Sequence, residues 1–302
     1  LIVMPRIIAV VGAIGRQSMS VIEALLEYPD KWHIRGITDD LTSFYNQELV
    51  RRGVNMVKCN INNHEECCQA FTGAYGVFAI TSYWNATDHD EYKQAVTLVE
   101  AARAVNVQHF IISILPNAGV LENKQSSLHQ HFMNKTQIEN YIRQLPTDNT
   151  FTHTTFVHVG FYYQNFATFF VPNVANLQFR YPILPHARIP FYDVRDTGKI
   201  VRECFQYPDR WGNAQIVPIV AEQLTMKRIC TTIQQVTGKH VNFVPLSYED
   251  ALLKLHQETI NNLRWYNDIG SNDEYQVEKT KEIWSKMRTF ADWLRETRWL
   301  ME

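Results

Sequence analysis

Short apolar runs alternate with amphipathic stretches through the first half of the sequence, and this alternation constrains the fold more than any other feature. It predicts an α/β fold class, in which βαβ units build a parallel sheet with helices on both faces. We expect five strands before residue 115: Arg6 to Val11, His33 to Thr38, Asn55 to Lys58, Gly76 to Ile80 and His109 to Ser113. A stripe at helical spacing predicts a helix between the last two strands, with Tyr92, Ala95, Val96, Val99, Ala102 and Val105 on one face.

The pattern changes after a helix expected near Phe132 to Leu145 and a strand expected from Phe151 to Val157. Aromatic and proline-rich stretches then replace the alternation, so we place a domain boundary near residue 158. Residues 1–157 are expected to form one domain and residues 158–302 a second lobe. Apolar residues at helical spacing predict a docked helical tail within Tyr275 to Leu300: Ile283, Trp284, Met287, Phe290, Trp293 and Leu294.

The composition argues against several classes of protein. Of the 302 residues, 45% are hydrophobic and 20% charged, with a formal net charge of -2, which is typical of a soluble globular protein. Nucleic-acid binding rests on clustered Lys and Arg, and this near-neutral balance does not favour it. No run approaches the roughly 18 apolar residues of a membrane span, and Leu1 to Val3 is too short for a signal-peptide core. We therefore expect no nucleic-acid or membrane partner, and a cytoplasmic location with the nucleus as an alternative.

The cysteines give no sign of a metal site. No CxxC pair and no Cys/His set with zinc spacing occurs among Cys59, Cys67, Cys68, Cys204 and Cys230. His129, His131, His153 and His158 also lack a suitably spaced carboxylate or Cys. We expect buried thiols in a reducing compartment and no bound metal.

The first predicted strand runs into the glycine turn Gly12-Ala13-Ile14-Gly15, and a helix with apolar periodicity follows. Glycines in this setting let backbone N–H groups approach a pyrophosphate, which then lies at the positive end of the helix dipole. The turn therefore predicts a Rossmann-type domain that binds NAD or NADP, the alternative being a tight turn without a ligand. Ser18 stands where the dinucleotide fingerprint has a third small residue, and its hydroxyl can either pack or reach a phosphate.

The end of the second strand bears on which dinucleotide is bound. Asp39 stands where the fingerprint expects a residue that bonds the adenosine ribose, and a carboxylate there favours the free 2'-hydroxyl of NAD. The alternative is a surface turn or a helix N-cap made by Asp39 or Asp40. Arg16 complicates the choice because its guanidinium can pair with a 2'-phosphate. We favour NAD.

Six stretches in the same order resemble the NmrA-like family of atypical short-chain dehydrogenase/reductases. They are Gly12 to Gln17, Gly73 to Trp84, His109 to Asn117, His131 to Lys135, Gly160 to Phe166 and Asp193 to Gly198. The resemblance covers nearly the whole chain. It implies a doubly wound Rossmann-type parallel sheet, a smaller and partly helical C-terminal lobe, and NAD or NADP across the strand ends. Its implied cofactor contacts are Gly12, Ile14, Gly15, Arg16, Gln17, Asp39, Asn60, Thr81, Ser82 and Lys135.

The chain departs from the family at three positions around the glycine turn and the neighbouring strand ends. Family members commonly have Arg where Asp39 stands, a third Gly where Ser18 stands and an Asp near the adenine where Asn60 stands. Each departure bears on affinity or on NADP preference.

Catalysis is a separate question. Short-chain dehydrogenases use a Tyr and a Lys one helical turn apart, and here His131 and Lys135 occupy that spacing. His131 is a candidate proton carrier or a helix-face histidine. Lys135 is a candidate for bonding the nicotinamide ribose or for acid/base work, or else an exposed helix lysine. Ser113, at a strand end, is a candidate to face the nicotinamide.

Two functions stay open at this point. The first is a dinucleotide sensor or regulator with little or no classical dehydrogenase activity, motivated by the missing Tyr, whose partner is a regulatory protein. The second is an NAD(P)-dependent oxidoreductase, or a redox-neutral isomerase or dehydratase, acting on an aromatic small molecule. An aromatic-lined cleft motivates it, with Phe161 and Tyr162 as candidate lining residues, although packing of the second lobe explains the same rings.

Overall fold

A computed structural model of the chain describes residues 4–81, 91–116, 130–146, 150–173, 175–269 and 275–301. Strands and helices alternate through its first half as β1 (Arg6–Val11), α1 (Arg16–Leu26), β2 (Trp32–Thr38), α2 (Phe44–Arg51), β3 (Asn55–Lys58), α3 (His64–Phe71), β4 (Gly76–Ala79), α4 (Glu91–Ala104), β5 (His109–Ile114), α5 (Gln130–Arg143) and β6 (His153–Val159). The five early strands are confirmed, with ends that shift by a residue. The expected sixth strand begins at His153 rather than at Phe151.

The second half mixes shorter strands with helices. They are β7 (Phe161–Tyr162), β8 (Gln178–Tyr181), β9 (Ile189–Tyr192), α6 (Thr197–Gln206), α7 (Pro208–Trp211), β10 (Asn213–Ile219), β11 (Glu222–Leu224), α8 (Met226–Thr237), β12 (Asn242–Pro245), α9 (Tyr248–Leu252), α10 (Gln257–Ile269), α11 (Val277–Ile283) and α12 (Phe290–Thr297). Within the described residues, none of these helices combines the length and the apolar character that crossing a membrane requires.

A seven-stranded sheet has the order β10-β6-β5-β4-β1-β2-β3. All the neighbouring pairs from β6 to β3 are parallel, with Val10 of β1 opposite both Gly36 of β2 and Phe78 of β4. The chain moves outward from β1 in one direction and then returns to its other side at β4. Right-handed crossovers in these two directions put helices on opposite faces, so the doubly wound parallel sheet is confirmed. The carboxyl ends beside β1 and β4 are where such sheets bind ligands.

The chain groups into two compact units. The first contains Leu1–Pro116, Asn134–His158 and Arg195–Val217, and the second contains Asn117–Met133, Val159–Val194 and Pro218–Glu302. The first unit therefore includes a segment from well beyond residue 158. The division into domains 1–157 and 158–302 stays a prediction.

That later segment lies against α1 through a glycine. A Cβ on Gly198 in α6 would stand 1.9 Å from the carbonyl oxygen of Ser20, far inside contact distance. The Ser20 hydroxyl accepts a hydrogen bond from the Gly198 amide (2.9 Å) and donates one to the Arg195 carbonyl (2.8 Å). Glycine is required because the two helices approach closely enough for backbone contact.

The second unit has an aromatic core and two small sheets, ordered β11-β9-β7 and β12-β8. The predicted helical tail consists of two helices, since α11 ends at Ile283 and α12 begins at Phe290. Thr289 caps α12 in a reciprocal box with Asp292, which starts a new helix at that point. Phe290 and Trp293 of α12 are buried, as their helical spacing predicted.

Candidate functional site

The glycine turn after β1 is exposed and has the backbone that only glycine adopts easily. Gly12 has φ +64°, in the left-handed region, and its carbonyl accepts a hydrogen bond from the Gly15 amide at 2.8 Å. A Cβ on Gly15 would lie 3.1 Å from that same carbonyl oxygen. The amide of Ala13 is tied to the Ile37 carbonyl of β2 at 2.9 Å. The turn is thereby fixed at the carboxyl ends of the central strands, with Ile14 exposed at its tip.

Helix α1 starts directly from this turn. Gly15 is its N-cap and contributes no side-chain hydrogen bond, and the first turn carries Arg16 and Gln17 with no carboxylate. Arg16 is exposed and Gln17 is buried. The positive end of the helix dipole and a guanidinium therefore meet at one exposed point, which suits an anion such as a pyrophosphate.

Ser18 holds the turn from inside. Its buried hydroxyl donates a 2.6 Å hydrogen bond to the Val11 carbonyl, the last one of β1. Of the two roles that the sequence left open, this contact supports packing between helix and strand. Ser18 therefore stands where the dinucleotide fingerprint has its third glycine, and it adds a side-chain hydrogen bond to the end of β1.

The segment after β2 presents Asp39 on a braced turn. Asp39 is exposed, while the next residue closes a local turn in which the Asp40 carboxylate accepts a 2.7 Å bond from the Thr42 amide. The Thr42 hydroxyl, which donates to the same carboxylate at 2.6 Å, and the Thr42 amide hold the pKa of the Asp40 carboxyl below its usual value. The buried Asn46 amide donates to the Asp40 carbonyl and, at 3.4 Å, to the Thr38 hydroxyl. The bracing keeps Asp39 at the carboxyl end of β2.

The N-cap alternative for the aspartates is wrong. Helix α2 is capped by Ser43, whose side chain accepts a hydrogen bond from the Asn46 amide at 3.3 Å. Asp39 and Asp40 precede that cap, so the surface turn is the local structure that they form.

Asn60 lies in the exposed turn after β3. Its backbone amide donates a 2.8 Å hydrogen bond to the Glu66 carboxylate, and its side-chain oxygen accepts one from the Asn62 backbone amide at 3.0 Å. Because β3 neighbours β2, the Asn60 turn and the Asp39 turn follow adjacent strands. This is the end of the sheet where the family resemblance puts the adenosine.

A buried charge cluster lies on the other side of β1. Thr81 follows β4 and is 5% exposed, Glu91 begins α4 and is fully buried, and Lys135 of α5 is 4% exposed. The Lys135 ammonium is 2.9 Å from the Glu91 carboxylate and donates a 2.7 Å hydrogen bond to the Thr81 hydroxyl. That hydroxyl in turn donates to Glu91 at 3.1 Å. The exposed lysine that the sequence allowed as an alternative is therefore wrong.

The ammonium has three N–H donors, and two of them are used by Glu91 and Thr81. Within the described part of the chain, the third N–H of the Lys135 ammonium is therefore available to a further oxygen acceptor.

The structure describes only part of the remaining predicted site, which consists of Ser113, His131 and Ser82. Ser113 is buried near the end of β5. His131 lies on α5, but its side chain is outside the described part of the chain, and Ser82 is outside it altogether. Their predicted roles stay predictions.

Phe161 and Tyr162 form the short strand β7 in the second unit, and both are half-buried. The Phe161 ring packs on Phe191 at 5.9 Å and on Tyr266 at 5.2 Å between centroids. Neighbouring rings of the same stretch, those of Tyr163, Phe166 and Phe170, are fully buried. Packing of the second unit accounts for these three rings, and Phe161 and Tyr162 stay candidates to line a substrate site.

Sequence reasoning missed Glu91 and Asn46. Glu91 lies four residues before Ala95 and seven before Leu98, both buried on α4, so it occupies a core position of an apolar stripe. A carboxylate at such a position needs a cation, and this spacing was the available signal. The signal for Asn46 was weaker, because an amide in a first helical turn is common on protein surfaces.

Comparison with known proteins agrees with this geometry. The family model described as the NmrA-like family matches residues 4–294. An NmrA-like family domain-containing protein of Dictyostelium discoideum is 25% identical over 99% of this chain and 100% of its own length. An NmrA-like family domain-containing oxidoreductase of Aspergillus hancockii is 28% identical over 80% of this chain and 75% of its own.

Among solved structures, the negative transcriptional regulator NmrA in complex with NAD superposes with a TM-score of 0.79. It is 22% identical, and the match covers 97% of this chain and 95% of that one. The same regulator has also been solved in complex with NADP. The structural match shows the fold, and the sequence match over nearly the whole length shows that the chain belongs to the NmrA-like family.

Proposed function

We propose that this protein binds NAD or NADP along the carboxyl ends of its parallel strands and acts as a dinucleotide sensor or regulator with little or no classical dehydrogenase activity. The observation that carries the proposal is the buried contact of 2.9 Å between Lys135 and Glu91. Thr81 of this cluster follows β4, the strand next to β1 and its glycine turn, so a dinucleotide held at that turn would reach the cluster with its nicotinamide ribose.

The adenosine half of the site supports binding. The exposed Gly12 to Gly15 turn, the start of α1 and the Arg16 guanidinium together suit a pyrophosphate. Asp39 is exposed on the adjacent strand end, where a carboxylate accepts hydrogen bonds from a ribose diol. NmrA, whose fold this chain shares, has been solved with NAD and with NADP.

The nicotinamide half argues against classical redox chemistry. In a catalytic dehydrogenase, the lysine lowers the pKa of a tyrosine phenol so that the phenol can exchange a proton. Here His131 stands at the tyrosine's position, and the Lys135 charge is balanced by Glu91. The ammonium is suited to donating a hydrogen bond to a ribose hydroxyl, because Glu91 and Thr81 hold it in a fixed position.

Asp39 sets the expected dinucleotide preference. A carboxylate next to the adenosine ribose favours a free 2'-hydroxyl and repels a 2'-phosphate, so we expect NAD to bind more tightly than NADP. Arg16 opposes this preference, but it lies at the start of α1, after the neighbouring strand β1. A tenfold tighter binding of NADP, a difference of about 1.4 kcal/mol, would show that Asp39 does not contact the ribose.

A second candidate is an NAD(P)-dependent oxidoreductase, or an isomerase or dehydratase, acting on an aromatic small molecule. The Aspergillus relative is named an oxidoreductase, and Lys135 with Ser113 would then be the polar groups nearest the nicotinamide. In that case Phe161 and Tyr162 would contact the substrate.

The test is a parallel calorimetric titration with NAD, NADP, NADH and NADPH, combined with a hydride-transfer assay on a panel of quinones and enones. We expect saturable binding, no turnover, and at least tenfold weaker binding in Lys135→Ala. The matched control is Lys93→Ala, since Lys93 is exposed on the helix that carries Glu91. Absence of saturable binding would overturn the proposal. Turnover that Lys135→Ala abolishes while the dinucleotide still binds would establish the oxidoreductase instead.

A further inference from the structure

Two cysteines of the first unit are in contact beneath the Asn60 turn. Cys59 follows β3 and Cys67 lies on α3, with their sulfur atoms 3.7 Å apart. Both side chains are almost fully buried, at 1% and 0% exposure, and both are free thiols. Neither takes part in the site described above.

We propose that Cys59 and Cys67 are a redox modification site, which forms a reversible disulfide when the protein meets a hydroperoxide. A disulfide needs its sulfur atoms about 2.05 Å apart, so the two must approach by under 2 Å from their present contact. The residues are eight apart in sequence and are joined by one short turn, which can absorb such a shift.

The two thiols have different roles in this reaction. The hydrogen bond between them lowers the pKa of Cys59, while the same bond and burial raise the pKa of Cys67. Because the thiolate is the nucleophile, Cys59 attacks the peroxide. Its sulfur bonds to one oxygen, the O–O bond breaks, and the other oxygen leaves with a proton as an alcohol or as water.

Cys67 then completes the disulfide. Its sulfur attacks the Cys59 sulfenic acid, the S–O bond breaks, and the hydroxide leaves with the Cys67 proton as water. In total, two thiols lose two electrons and two protons, and one hydroperoxide is reduced to an alcohol, or to water, plus a second water. A dithiol reductant reverses the step.

A small oxidant reaches the pair through the turn that covers it. Asn60, Asn62 and Asn63 are exposed, and the hydrogen bonds that close the turn are local, among them one of 2.8 Å from the Asn60 backbone amide to the Glu66 carboxylate and one of 2.9 Å from the Asn63 amide to the Asn60 carbonyl. Opening of a short exposed turn needs little buried apolar surface to be given up. The neighbouring Cys68 is half-exposed, and its sulfur lies near His64 rather than near Cys59.

The pair also lies beside the Asn60 turn of the proposed dinucleotide site, and this step rests on the proposed function. Asn60 follows Cys59 directly, and its carbonyl oxygen is 3.9 Å from the Cys67 sulfur. Closing the disulfide pulls on the turn that ends β3, beside the turn that presents Asp39. We therefore expect the oxidised protein to bind dinucleotide at least threefold more weakly than the reduced protein.

The test uses the full chain treated with hydrogen peroxide, followed by blocking of the remaining thiols with iodoacetamide. Cleavage after Glu65 and Glu66 separates Cys59 from Cys67, so a disulfide links two peptides that are otherwise independent. We expect this linked pair in the wild type and its loss on reduction. Absence of the linked pair from oxidised, folded wild-type protein overturns the proposal without the need for any variant.

Two variants identify the partner, since Cys67 and Cys68 share one peptide. We expect Cys67→Ala to abolish the link and Cys68→Ala to retain it, with circular dichroism showing that both are folded. The opposite pattern would assign the link to Cys68 and refute the pair. Dinucleotide titration of oxidised and reduced wild type is scored separately. An unchanged affinity refutes the coupling alone, and a linked protein that binds no dinucleotide in either state refutes the proposed function while leaving the modification site in place.

Discussion

Replacing Glu91 with alanine is expected to destabilise the protein by about 3 to 5 kcal/mol, because it leaves the Lys135 ammonium buried without its carboxylate. The side chains of the pair are 0% and 5% exposed, so bulk water does not reach the ammonium in the native structure. Thr81 loses its acceptor as well, since its hydroxyl donates to Glu91 at 3.1 Å. Removing one member of a buried pair is strongly destabilising because the other charge stays desolvated.

The assay is equilibrium unfolding in urea followed by circular dichroism. At an m-value of about 3 kcal/mol/M, the expected loss lowers the urea midpoint by roughly 1 to 1.7 M. The double variant Glu91→Leu/Lys135→Met removes both charges and keeps similar volumes. It is expected to be within about 1 kcal/mol of the wild type, or more stable, because an apolar pair avoids the desolvation penalty.

The matched control is Glu48→Ala, which breaks an exposed pair with Arg51 at 3.0 Å. Its side chains are 45% and 60% exposed, so the expected loss is about 0 to 1 kcal/mol. A loss below about 1 kcal/mol in Glu91→Ala would refute the reasoning, because it would show that the Lys135 ammonium is solvated once its carboxylate is removed.

Three further predictions concern other parts of the first unit. Gly198→Ala is expected to lower the free energy of unfolding by about 3 kcal/mol in urea titrations, since the new Cβ would lie 1.9 Å from the Ser20 carbonyl oxygen. Burial and nearby positive charge lower the pKa of His109 to about 3. Its contribution to stability is therefore full above about pH 6.5 and falls by up to about 1.4 kcal/mol for each pH unit below that, a slope that His109→Gln should remove in pH-dependent unfolding. Asn46→Ala frees the turn that presents Asp39 and should reduce the NAD over NADP preference severalfold in calorimetry.

Each of these has a result that contradicts it. Gly53→Ala, at φ +88° with open space around the added atom, should lose only about 1 kcal/mol, so an equal loss in both glycine variants would rule out the steric argument for Gly198. A stability profile below pH 6.5 that is the same in His109→Gln and wild type would show that His109 is protonated in the native protein. An unchanged ratio of NAD to NADP affinity in Asn46→Ala would show that the bracing does not position Asp39.

The features that could be predicted from the sequence are those with a local signal. β1 and α1 were recognisable because apolar periodicity and a glycine turn are properties of neighbouring residues. The capping box of Thr289 and Asp292 is equally local, and it indicates that a new helix begins at Phe290. The end of β4 was misplaced by only one residue.

The features that could not be predicted depend on contacts between distant segments. Nothing near Lys135 in the sequence indicates that Glu91 neutralises it, since the two meet only when α4 and α5 pack beside the same sheet. Cys59 and Cys67 have no spacing motif, and their sulfurs come into contact because α3 folds back over the end of β3.

The sequence by itself determined the alternating α/β architecture, the glycine turn at the end of β1 and the family. These follow from periodicity and backbone freedom, which act over a few residues. The tertiary structure decided what the site residues can do. It buried the Lys135 ammonium against Glu91, braced the Asp39 turn with Asn46, and set Ser18 to hold the glycine turn in place. The physical reason is that charge state and hydrogen bonding depend on burial and on partners, and partners far apart in the chain are set only by packing.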